Sequence, residues 1–239
     1  MWVRLARFAV IAVLLGVAPA AADRLDDFNA TVETFSSHHR VALGYLRTGN
    51  FDLAAIELER MDGAWRAVVE RFGADPPAAI TDRVLYTTTL TDMAMRIIGA
   101  RIVLDFGRPD VVSQTLGEMR GVLARLRRAS GITVLADCVL DANAVMDALS
   151  ALKDTRIDGA TTEADLLASA ARYGDALRRC DLAASPTLRD DPEFRRLVDG
   201  ALAGLARVPD AVARRDSDLL ARLLDELRAF DRLLAFRFG

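Results

Sequence analysis

The sequence predicts an all-α fold. Three observations carry that reading. Strand signals are missing, apolar residues recur with the helical period almost throughout, and Gly, Pro or a capping residue interrupts that period about once per helix length. The pattern divides into eight helices in four antiparallel hairpins. They form two packed four-helix layers or one continuous α-helical array.

The first helix is expected over about 25–48, with Gly49 suited to the position past its end and Asn50 to capping the second. The second carries Ala54, Leu58, Met61, Trp65, Val68 and Phe72 on one stripe and stops at Gly73, ahead of Pro76-Pro77. The third is expected over about 78–106 as the longest, with Gly107 closing it. Pro109 then starts the fourth, where a missing N–H is harmless. Ser130-Gly131 breaks the chain near the middle. The fifth helix is expected over about 133–154 and a turn near Asp158-Gly159. Thr162 to Asp165 forms a capping box for the sixth. Ser185-Pro186 ends that region, Asp191-Pro192 starts the seventh helix, and Pro209 is expected to break or kink it. Asp216-Ser217 opens the eighth, with Leu220, Leu223, Leu227, Phe230 and Leu234 in line.

Residues 1–22 have the form of a cleaved signal peptide. Arg4 and Arg7 give a basic start, residues 8–17 are apolar, and Ala20-Ala21-Ala22 offers a small-x-small cleavage site. That apolar run falls short of the roughly 20 residues a membrane span needs. The expected organisation is a leader at 1–22, a first helical bundle at 23–130 and a second at 131–239. Lys153 is the only lysine in an Ala- and Arg-rich chain, a bias that suggests a bacterial source and hence a periplasmic or secreted protein. Losing Arg4 and Arg7 leaves 29 of the 31 basic residues against 34 acidic ones. A chain of that sign has no global attraction for nucleic acid.

Cys138 and Cys180 fit an oxidising compartment. A turn centred near 157 or 158 puts them almost level on facing helices, and each falls on its helix's apolar stripe. A disulfide in the second bundle is therefore expected, two buried thiols being the alternative reading.

Asp52–Met61, Asp110–Met119 and Asp218–Leu227 share a faint pattern at the start of the second helix of a hairpin. Residues 38–71 hold a more specific one. Ala42, Tyr45, Gly49-Asn50, Ala54 and Leu58 follow the small, aromatic, turn, small and apolar positions of one tetratricopeptide repeat, which this hairpin resembles. The resemblance covers that hairpin alone. His38 stands where the repeat has a large aromatic, and no 34-residue period follows. It implies a helix hairpin in a peptide-binding or scaffold setting.

His38 and His39 are the only histidines. Hairpin register puts His39 near Met61, and Met61 level with a third-helix stripe read as Thr88, Thr91 and Met95. A layer of His39, Met61, Thr91 and Met95, with His38 at its margin, would offer one imidazole and two thioethers, a set suited to soft copper or non-covalent haem. The plainer reading is a core histidine bonded to a threonine hydroxyl, and no cofactor is then expected. No Cys-x-x-Cys-His, Gly-x-Ser-x-Gly or Gly-rich phosphate loop is present. The arginine doublets (127–128, 178–179, 195–196, 214–215) are interleaved with acids and read as solvated faces. The function this supports is an exported, non-enzymatic helical binding or scaffold protein for an unknown protein or small ligand, with a haem- or copper-binding bundle as the alternative.

Overall fold

Among the described residues, four helices end in the same way, through one residue in the left-handed region. At Gly49, Gly107 and Gly131, φ is 75°, 69° and 67°. The glycine N–H bonds the carbonyl three residues back, and the next N–H bonds the carbonyl five back. That double closure satisfies helix-end carbonyls and reverses the chain, and it needs a backbone that glycine adopts without strain. The fourth case, Arg215 at φ 54°, makes the same two bonds without that advantage.

The structure, a computed structural model, describes residues 18–157 and 162–239. Among them are nine helices: α1 (Ala18–Arg47), α2 (Phe51–Phe72), α3 (Arg83–Asp105), α4 (Pro109–Ala129), α5 (Leu135–Ile157), α6 (Glu163–Ala183), α7 (Pro186–Arg189), α8 (Pro192–Ala213) and α9 (Ser217–Phe238). No strand occurs among the described residues. The apolar segment expected as a leader and the Asp158-Gly159 turn lie outside them. No helix among the described residues is long and apolar enough to cross a membrane.

Helix starts follow local chemistry. Asp82, Thr162, Ser185, Asp191 and Asp216 each accept the backbone N–H three residues on. Thr162 and Asp165 complete a reciprocal capping box. Asn50 departs from expectation: its amide donates to Thr48 Oγ1 and leaves α2 uncapped by a side chain. Asp82 starts α3 later than expected, so α1 is the longest helix. Ser185 with Pro186 begins the one-turn α7 where only an ending was expected. α8 continues through Pro209. That ring is exposed, within a turn of the helix end, so the carbonyl it strands faces water.

Packing closes two rings. α1 packs on α2, α2 on α3, α3 on α4, and α4 back on α1. In the second ring α5 packs on α6, α6 on α8, α8 on α9, and α9 on α5. Each ring has its own apolar core, the first running from Phe28 to Ile132 and the second from Val139 to Leu234. Edge-to-face pairs, Phe28–Phe72 at 5.4 Å and Phe35–Trp65 at 5.2 Å, fill the first. Its polar tips are satisfied: Trp65 Nε1 donates to the Leu90 carbonyl and Tyr86 Oη to that of Phe72. In the second, Cys138 and Cys180 are joined across α5 and α6 with their Cα atoms 5.3 Å apart. Closing a loop of this size contributes ~4 kcal/mol in the chain-entropy account.

The rings meet where α4 touches α5 and α1 touches α9. At the first contact Arg127 donates from Nε and Nη2 to the two carboxylate oxygens of Asp137, at 2.8 and 2.6 Å. Both side chains are about nine-tenths buried. Arg127 is therefore no part of a solvated face, as its doublet with Arg128 suggests. Removing one partner would leave the other charge buried and unpaired. Asp137→Ala is expected to cost ~3–5 kcal/mol in urea unfolding, while Arg127→Met with Asp137→Leu should cost much less or nothing. Equal losses in the single and double variants would show that the pair's charges are not what matters.

Candidate functional site

His39 is 2% exposed, and its Nε2–H donates to the Leu116 carbonyl of α4 at 2.7 Å. The ring is packed 6.1 Å from that of Phe35. Burial holds the imidazole neutral and pushes its pKa down to about 4, helped by the nearby charges of Arg120 and Arg40. His38, one position before it, is half-buried and bonds Glu57 Oε2 through Nδ1 at 2.7 Å. Arg60 holds the other Glu57 oxygen.

The expected His/Met layer is not assembled. Met61 is fully buried in the first core, but Thr88, Thr91 and Met95 are exposed on the outer face of α3. The inner face is Tyr86, Thr89, Leu90, Met93, Ile97 and Ala100. Met95 lies two residues from Met93 and Ile97, hence on the opposite side of the helix. His39 reaches a backbone carbonyl on α4 and no threonine hydroxyl. No group of three or more His, Cys, Asp or Glu side chains among the described residues is placed to hold a metal ion.

What the fold assembles beside His39 is a cavity of about 240 Å³ between the two rings. α1 supplies Arg40, Leu43 and Arg47. α4 supplies Arg120, α5 Asn143 and Asp147, and α9 Arg228, Asp231, Arg232 and Phe236. Five arginines thus face two aspartates. The two acids are engaged by one of the five: Arg228 bridges Asp147 and Asp231. Asp231 is 2% exposed and also accepts from Asn143 at 2.7 Å and Tyr173 at 3.4 Å. Burial raises its pKa and that of Tyr173. Arg40 is held by Glu33 and by the Gly239 carbonyl.

Arg47, Arg120 and Arg232 have no carboxylate partner among the described residues. Arg120 is the deepest of them. Its Nη1 donates to Asn143 at 3.1 Å, and its Nη2 is buried with no hydrogen-bond partner. Burial lowers its pKa, and the like charge of Arg40 adds to that. The charges of Asp231 and Asp137 offset only part of what burying this cation costs. Leu43, Ala235 and Phe236 give the same cavity an apolar side. The arrangement suits a small molecule with an anionic head toward Arg120 and an apolar body toward Phe236.

Sequence reasoning missed this site because its arginines come from three helices and look like solvated charge one helix at a time. A weak signal exists in Arg228 and Arg232, four apart and flanking Asp231, which sits within the apolar spacing of α9. The chain matches no protein-family model, none of the curated proteins and no solved structure.

His39 makes stability depend on pH. The folded pKa lies below the unfolded value of 6.5, so its contribution is complete above pH 6.5 and is lost as pH falls toward 4. The loss amounts to about 3 kcal/mol at pH 4. The Leu116 carbonyl lies within α4, which supplies its own donor, so His39→Leu should cost about 1 kcal/mol or less at pH 7. Between pH 6.5 and 4, urea midpoints should fall less in the variant than in the wild type. Asp231 is common to both and drops out of the comparison. Parallel curves would overturn this role.

Proposed function

We propose that this is an exported, non-enzymatic binding protein, and that it holds a small organic anion in the cavity between its two bundles. The observation that carries the reading is Arg120: a buried cation lining a cavity where two further arginines lack a carboxylate partner among the described residues. Proteins rarely keep such a group for stability. A carboxylate or phosphate accepts the bidentate fork that Arg presents, and the apolar wall adds affinity for an aliphatic or aromatic tail. Export is supported by the form of residues 1–22 and by the disulfide, which suits an oxidising compartment.

Benzoate, octanoate, inorganic phosphate and the neutral benzamide serve as probes in thermal unfolding and calorimetric titration. The amphipathic anions should bind and raise Tm, phosphate should bind more weakly, and benzamide should not bind. Arg120→Met should abolish anion binding while leaving stability unchanged or up to ~1 kcal/mol higher, since an unpaired buried charge is removed. Binding that survives Arg120→Met would sink the assignment, as would equal binding of benzamide and benzoate. Export has its own readout: protein taken directly from its native compartment should carry no free thiol when denatured, and two free thiols would contradict it.

A further inference from the structure

α3 has two apolar faces, and only one is used. The inner face packs into the first core. The outer face presents Val84, Thr88, Thr91, Met95, Ile98 and Ile102 to solvent, with Val84 79%, Met95 62%, Ile102 51% and Ile98 45% exposed. Their spacing alternates four and three residues along the helix. That is a heptad seam, the spacing that keeps two helices in contact when they wind slightly about each other. The inner residues Tyr86, Leu90, Met93, Ile97 and Ala100 follow the same spacing, so α3 carries two such seams on opposite sides, one covered by its own bundle and one not.

We infer that the protein forms a two-fold symmetric dimer in which the outer faces of two α3 helices pack antiparallel. The seam is self-complementary in that direction. Setting Thr91 opposite Met95 of the second copy also sets Thr88 opposite Ile98 and Val84 opposite Ile102. Each layer then joins a smaller β-branched residue to a larger one. In a parallel pair, Thr would meet Thr in two layers and the large residues would crowd at one end. Thr91 donates its hydroxyl to the Thr87 carbonyl within its own helix, so it offers the seam a methyl group.

Area agrees with a second copy as the occupant. Beside the middle of the seam, Arg96 holds Asp92 and Glu118, and Arg101 reaches Asp62. The exposed area of the four large seam residues comes to about 400 Å² per chain, and with the exposed Thr88 and Thr91 a pair covers on the order of 1,000 Å², the low end for a specific dimer.

Sedimentation of the full protein tests this. The expected species is a dimer that dissociates on dilution. Met95→Glu with Ile98→Glu should give monomer at every concentration, with an unchanged circular dichroism spectrum and the Tm of the diluted, monomeric wild type, because both positions are exposed within the chain. Register has a separate readout. An oxidised mixture of Thr91→Cys and Met95→Cys proteins should cross-link between copies, while neither protein alone should do so. A wild type that stays monomeric overturns the inference, as does a dimer that survives the double glutamate variant. Cross-linking of Thr91→Cys to itself would overturn the antiparallel arrangement.

Discussion

The buried pair of Arg127 and Asp137 sets the geometry on which the rest of the junction depends. α4 and α5 are consecutive helices belonging to different rings, joined by a few residues around Gly131. A connection that short fixes where α5 begins but leaves its direction open. The bidentate pair supplies the direction: two parallel N–H···O bonds fix the planes of guanidinium and carboxylate, and burial prevents water from substituting for either. Once α5 is aimed, α9 is carried with it against α1. The cavity exists because those four helices converge without touching along their full lengths.

The same junction concentrates charge against the trend of the chain. Over the whole sequence acids outnumber bases, 34 to 31. On the outer surfaces the arginines are mostly paired within or between neighbouring helices, as Arg66 with Asp62 and Arg195 with Asp181. At the junction the acids are consumed by Arg228, and Arg120 lies beneath them with a donor unmet. Replacing any one acid would not relieve this. The imbalance arises from how α1, α4 and α9 are brought together, which makes it a property of the assembled fold.

The sequence was most legible where the physics is local. The Thr162–Asp165 box and the glycines at 49, 107 and 131 depend on a handful of adjacent residues, and they stand where the pattern put them. The cysteines were legible at longer range because hairpin register converts sequence distance into height. α3 was read on the wrong face for a specific reason. With Tyr86, Leu90, Met93 and Ile97 on one side and Val84, Met95, Ile98 and Ile102 on the other, periodicity finds two stripes and offers no rule for choosing the core. Arg127 was misread because burial of a charge depends on its partner, and Asp137 belongs to another helix. The cavity was illegible because no stretch of sequence contains it.

The order in which these contacts can form follows from their span along the chain. Each ring closes through neighbouring hairpins, so its loops are cheap to close and it can assemble while the remainder of the chain is still open. The cavity draws on Arg40 and on Phe236, and the bond from Arg40 to Gly239 spans nearly the whole described chain. Such contacts carry the largest closure entropy and reward it last. A molecule lodged against both rings therefore binds only the completed form, and its free energy falls on the weakest step of assembly, the docking of one half on the other.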